Sequence, residues 1–152
     1  MHSEHNLDAK TPLRFIQMWI KPRRAGLTPA YGSAIGDSVA RLNKWAHLVS
    51  DVNSASATPV KINQDANIYV AEVTGDSTVS FEIKPGRQAY LLCVENAAEV
   101  SSGDQTINLA AHDAAELVGP ITLHAHPKDT TQTAHLLIVE MEAAYGSGRG
   151  DL

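Results

Sequence analysis

Cysteine is almost missing from this chain: Cys93 is the only one in 152 residues, so no internal disulfide can form and packing must hold the fold. A lone cysteine inside the apolar run Leu91-Leu92-Cys93-Val94 reads as a buried, inert thiol, and such usage suits a reducing compartment, with the cytoplasm expected. Basic charge is scarce too. Twelve Lys and Arg stand against seventeen Asp and Glu, a formal net charge of -5, which argues against a phosphate-backbone binder, so no nucleic-acid partner is expected. The one basic cluster, Lys21, Arg23 and Arg24, reads as a solvated loop. No apolar run approaches the roughly 20 residues of a bilayer helix, and Met1-His2-Ser3-Glu4-His5-Asn6 lacks the basic-then-apolar order of a secretory leader, so neither a membrane span nor export is expected. No serine nucleophile in a strained turn accompanies His112-Asp113, and no glycine pattern cradles phosphate, which sets aside the hydrolase and nucleotide-binding classes.

What is present is the composition of one globular domain, 43% hydrophobic and 19% charged, of a length able to bury roughly two thirds of its unfolded surface. Phe15-Ile16-Gln17-Met18-Trp19-Ile20, ended by Lys21-Pro22, predicts a buried strand. Residues 22–37, with two prolines and three glycines, predict a long loop, after which Asp37 or Ser38 caps a short helix. Trp45 to Val49 fits the continuation of that helix or a strand. From residue 60 the pattern becomes short strands with a turn signal about every ten residues, which predicts an all-β sandwich or barrel of about eight to ten strands. The strands expected are 60–63, 67–73, 79–83, 89–94, 106–109, 115–118, 121–126 and 136–141. Val79, Phe81 and Ile83 alternate with polar residues, but Leu91 to Val94 and Leu136 to Val139 are apolar on both faces and need an outer cover.

Several segments together resemble the pirin-like bicupins, the quercetinase-type pirins: His2-Ser3-Glu4-His5-Asn6, Pro12-Leu13-Arg14-Phe15-Ile16-Gln17-Met18-Trp19-Ile20, Asn63-Gln64-Asp65-Ala66-Asn67-Ile68-Tyr69 and Arg87-Gln88-Ala89-Tyr90-Leu91. The resemblance implies a cupin-type jelly roll, the double-stranded β-helix, with residues 1–13 matching the end of a first cupin, 14–145 forming the carboxy-terminal barrel and 146–152 a flexible tail. It also implies that the family's metal site lies in the amino-terminal barrel, built from a His-x-His pair and a later His-x-Glu pair. His2 and Glu4 match the second pair; the first has no counterpart in this sequence. Such a site would take a divalent metal (iron, manganese, nickel or copper) and activate dioxygen toward a flavonol. In the carboxy-terminal barrel the histidines of a cupin site would fall between Phe81 and Arg87, where there are none.

The expectation is therefore a non-catalytic or ligand-binding cupin domain, with no catalytic residue and no firmly assigned cofactor. The alternative is a quercetin 2,3-dioxygenase-like metal oxygenase completed by residues of another chain or domain. His124-Ala125-His126 is a second metal candidate, because residues two apart on a strand face the same side, with His135 or His112 as a third ligand; against this, strand-end histidines are commonly just exposed. Asp65 reads as a turn residue rather than a base, and Arg87, Tyr90 and Glu95 as a pocket mouth or, equally, as members of a salt bridge or cross-strand pairs. The doubly apolar strands point to a homodimer or to a companion cupin domain as their cover.

Overall fold

The computed structural model describes residues 5–143. His2 and Glu4, and the tail expected at 146–152, lie outside the described residues. The first half of the expectation for residues 37–49 is met by a single helical turn, α1 (Ser38–Arg41), whose cap is Asp37, accepting hydrogen bonds from the amides of Val39 and Ala40. From Ala46 the segment is a strand, not a continued helix. Ten strands follow: β1 (Ala46–Asp51), β2 (Val60–Ile62), β3 (Ala66–Val73), β4 (Val79–Ile83), β5 (Arg87–Glu95), β6 (Ala98–Ser102), β7 (Gln105–Leu109), β8 (Ala114–Val118), β9 (Ile121–Pro127) and β10 (Ala134–Glu142).

They form two sheets, ordered β2-β1-β3-β10-β5-β8 and β4-β9-β6-β7. Consecutive strands mostly cross from one sheet to the other, which closes the jelly roll anticipated from the turn spacing; all pairs are antiparallel except β1 with β2. The alternation of side chains decides what lies between the sheets. From the larger sheet come Ala71 and Val73, Leu91 and Cys93, and Leu136 and Ile138; from the smaller, Val79, Ile83, Val100, Leu123 and Ala125. Each of the large residues in this set contributes about 1.5–3 kcal/mol by leaving water. Cys93 is fully buried, and burial holds its thiol above the ordinary range, so the reading of an inert core residue stands.

The turns carry the chemistry their sequence advertises. Pro85-Gly86 joins β4 to β5, with Gly86 at φ +74° and the Arg87 amide returning to the Lys84 carbonyl, a turn in which proline sets the first bend and glycine the second. Gly119, between β8 and β9, is required by space: a Cβ there would stand 2.1 Å from the Lys84 carbonyl oxygen.

Phe15–Ile20 corrects the sequence expectation. It forms no strand and is not buried: Phe15 is 61% and Trp19 85% exposed. Instead, the segment crosses the outer face of the larger sheet as an extended strap. Arg14 pairs with Glu95 at the end of β5, the Lys21 carbonyl accepts from Gln64 Nε2, the Arg23 amide donates to the Asn63 carbonyl, and the Arg23 guanidinium pairs with Asp51 at the end of β1. Ile16 and Met18, at 44% and 41% exposure, alternate with the more exposed Phe15 and Trp19, so the two-residue period seen in the sequence is real. It reflects an extended chain lying on a sheet face rather than pairing at its edge. The strap and the outer sheet face enclose part of what Leu91–Val94 and Leu136–Val139 required as cover.

Candidate functional site

The polar residues gathered inside the barrel sit at one end of the larger sheet. Asn67 on β3, Glu140 on β10 and Ala89 on β5 share one row of the ladder, and Arg87 lies two residues from Ala89 on the same inward face. The Arg87 guanidinium takes Glu140 in a two-pronged grip, Nε to Oε1 and Nη2 to Oε2, the latter at 2.9 Å, while its Nη1 reaches Asp65 Oδ2 at 2.6 Å. Glu140 Oε2 also accepts from Asn67 Nδ2 at 2.7 Å. Since that amide nitrogen is spent as a donor, Asn67 Oδ1 faces His47 Nε2 at 3.0 Å as an acceptor, which places a proton on Nε2 of His47. The hydrogen bond from Arg87 to Glu140 outweighs the cost of partial burial and holds the guanidinium pKa above its already high ordinary value.

Above this ion network the space between the sheets is filled by rings. His47 stacks on Tyr69 with centroids 4.2 Å apart, Tyr69 meets Phe81 edge-on at 4.9 Å, and Phe81 meets Trp45 edge-on at 5.6 Å, a series of rings that reaches from the larger sheet to Phe81 of the smaller and returns to Trp45 just before β1. Burial, reinforced by the charge of Glu140, pushes the Tyr69 phenol up, so it stays neutral at physiological pH. The interior thus offers paired charges and packed rings, with both carboxylates paired to Arg87.

The other candidates are dispersed. His124 and His126 do share the outer face of β9, as their spacing required, but each has its own partner: His124 Nδ1 meets Ser80 Oγ at 2.8 Å, and His126 meets Glu99 Oε1 at 3.3 Å and the Pro127 carbonyl at 3.1 Å. His135 stands on β10, in the opposite sheet, and His112 in the β7–β8 loop. Among the described residues, no three His, Cys, Asp or Glu side chains are grouped so as to hold a metal ion. Among the described residues a divalent metal of the kind implied by the resemblance finds no fitting donor set: the interior carboxylates already neutralise an arginine. Tyr90 and Glu95 do not join Arg87 at a pocket mouth; Tyr90 faces outward from β5 and Glu95 pairs with Arg14. Asp65 stands just before β3 and its carboxylate pairs with Arg87. Glu140 and Asn67 escaped the sequence reading, although Glu140 carried a signal: it continues the inward parity of Leu136 and Ile138, and a carboxylate at a core-facing position calls for a buried cation.

On the outer face of the larger sheet, a cleft of about 820 Å³ opens between the strap and the strands, lined by Met18 and Trp19 on one side and Tyr90, Val118, Val139 and Met141 on the other. None of the helices among the described residues is long and apolar enough to cross a membrane.

Two sheets in this order, enclosing one core, make the chain a cupin-type jelly-roll barrel. Residues 48–141 match the quercetinase C-terminal cupin domain, and the chain belongs to that family, as the sequence resemblance implied. Similar proteins include a pirin-like protein of Caulobacter vibrioides, 30% identical over 114 residues that make up 75% of this chain and 47% of the relative. A quercetin 2,3-dioxygenase of Escherichia coli K12 is 29% identical over 107 residues, 70% of this chain and 41% of the relative. Among solved structures, YhhW from Escherichia coli superposes with a TM-score of 0.68 at 17% identity, covering 83% of this chain and 49% of that one, a likeness of fold. The chain spans about half the length of the curated relatives it matches.

Proposed function

We propose that this barrel is a non-catalytic cupin domain, a structural or ligand-binding unit of the pirin-like kind. The observation that carries the reading is the state of its interior: Glu140 and Asp65 both neutralise Arg87, His47 Nε2 is held by Asn67, and the ring column from His47 to Trp45 occupies the space between the sheets. A catalytic carboxylate must be free of a neighbouring cation to take a proton or attack, and both of these are paired with Arg87. The lone buried thiol of Cys93 suits the cytoplasm as the setting.

The second reading, a quercetinase-type oxygenase completed by another chain or domain, draws its support from relatives bearing that name and from the match of His2 and Glu4 to the family's His-x-Glu pair. The first reading is tested directly. The purified chain is incubated separately with iron, manganese, nickel and copper, desalted, analysed for retained metal and assayed for dioxygen uptake with quercetin. The expected result is no stoichiometric metal and no uptake above buffer. Turnover by the chain alone would overturn the non-catalytic reading.

A further inference from the structure

Beyond the strap, the loop before α1 encloses a second cavity, of about 550 Å³, a size suited to a small molecule. Residues 32–37 form its roof, and its floor is Ala46 and Leu48 of β1, Val60 of β2 and Val70 of β3. Every lining residue falls between 32 and 70, so roof and floor belong to one stretch of chain. Two glycines bring the roof close: a Cβ on Gly32 would touch Val60 at 3.4 Å, and one on Gly36 would stand 3.0 Å from Arg41 Nη1. Arg41 is the one Lys or Arg on the lining. Its Nη2 pairs with Glu72 at 2.9 Å, while Nη1, beside Gly36, has no partner among the described residues. The carboxylate on the lining, Asp37, is spent on the amides of Val39 and Ala40.

We propose that this cavity binds a small uncharged apolar molecule with one hydrogen-bond acceptor, of the aryl ketone kind, its oxygen taken by Arg41 Nη1. Each part of that description has its own cause. The aliphatic floor favours an apolar body, because closing over it removes water from Ala46, Leu48, Val60 and Val70. A hydrocarbon without an acceptor would cover the spare N–H of Arg41 and leave it unmade, which costs more than the burial of a satisfied donor. An anion is disfavoured for a different reason. The charge of Arg41 is already balanced by Glu72, and Asp37 adds a negative charge at the wall, so a carboxylate would enter with no cation left to pair it. The inference deepens the ligand-binding side of the proposed function. It uses the outer side of β1–β3 rather than the ion network of Arg87, so the dioxygen-uptake result with quercetin leaves it standing or falling on its own test.

That test is a proton–nitrogen correlation NMR titration of the full chain with 2-acetylnaphthalene, read at the amides of Gly32, Gly36 and Leu48 and at the Arg41 Nε–H. The expected result is a saturable shift confined to residues around the cavity, with a dissociation constant of roughly 1 mM or tighter. Naphthalene, which lacks the acceptor, and 2-naphthoate, which carries a charge, should each bind the parent chain at least about tenfold more weakly. Arg41→Lys keeps a cation for Glu72 but loses the guanidinium arm beside Gly36, and should weaken 2-acetylnaphthalene by about tenfold. Val70→Trp fills the floor and should abolish binding, with the dispersion of its spectrum reporting that the barrel is intact. Shifts that do not saturate, or that saturate elsewhere on the chain, would overturn the site. Equal binding of 2-naphthoate or naphthalene by the parent chain, or a folded Arg41→Lys that binds as well as the parent, would overturn the assigned chemistry.

Discussion

Replacing Arg87 by methionine keeps most of the aliphatic stem and deletes the charge that two carboxylates share. The Glu140 side chain retains 12% of its surface exposure and that of Asp65 45%, so the two are not stranded equally: Asp65 can turn to water, whereas Glu140 is left as a nearly buried anion with only Asn67 as donor. Removing one partner of a fully buried ion pair costs about 3–5 kcal/mol, and the residual access of Glu140 to water lowers the figure for this site to about 2–3 kcal/mol. For a domain of this length each kcal/mol moves the melting temperature by roughly 2–4 °C, so a fall of about 5–10 °C is expected. The decisive measurement is a double-mutant cycle by urea unfolding, with Arg87→Met, Glu140→Leu and the two combined. The combined variant should lose less than the sum of the single losses, because it no longer buries an unpaired charge. Additive losses, or an Arg87→Met variant within about 0.5 kcal/mol of the parent, would refute the claim that this network is coupled and buried.

Other perturbations have equally definite outcomes. Leu136→Ala, at a fully buried position between the sheets, should cost about 2–5 kcal/mol in urea unfolding, and a loss below about 1 kcal/mol would contradict the packing described. Gly119→Ala places a methyl group against the backbone carbonyls of Ile83 and Lys84, which cannot yield as a side chain would; the urea midpoint should drop well below that of Gly86→Ala, where nothing lies within 4 Å and only the positive φ is penalised. Asp51 has its pKa held below the ordinary 3.8, first by the hydrogen bond from Arg23 and then by the Asn53 amide. Its contribution is accordingly complete above that value and is lost as pH falls through the lowered one. Hydrogen exchange at the Arg23 amide should accelerate over that acid range in the parent chain and show no such step in Asp51→Asn.

Strands were legible wherever side chains alternate or turns are punctuated. Val79–Ile83 was read to the residue, and Pro85-Gly86 and Gly119-Pro120 mark real corners, because the chemistry of a turn is local. The strand Ala98–Ser102 went unread: Ala-Glu-Val-Ser-Ser carries little β preference, and it is fixed by its neighbours, β9 on one side and β7 on the other. The strap misled for the opposite reason. Its aromatic and β-branched residues have the period of a strand, but that period states only that the backbone is extended; whether the chain finds a ladder or a sheet face depends on partners more than forty residues away. The interior network was half legible. Arg87 and Asp65 were singled out, as a pocket-mouth or paired residue and as a turn residue, but Glu140 and His47 join them only when β1, β3, β5 and β10 are set in register.

The two ends of the strap are fastened by different means. At the amino-terminal end only the Arg14–Glu95 pair is seen, with both side chains well exposed; at the other, the Arg23–Asp51 pair is backed by hydrogen bonds to Asn63 and Gln64. Exposed pairs contribute about 0–1 kcal/mol and are screened once dissolved salt brings the Debye length near the contact distance, whereas apolar burial strengthens in salting-out electrolytes. Ionic strength therefore pulls on the two parts of this chain in opposite senses. As it rises, the exposed Arg14–Glu95 fastening weakens, while the apolar side of the strap, Ile16 and Met18, and the barrel core hold more firmly.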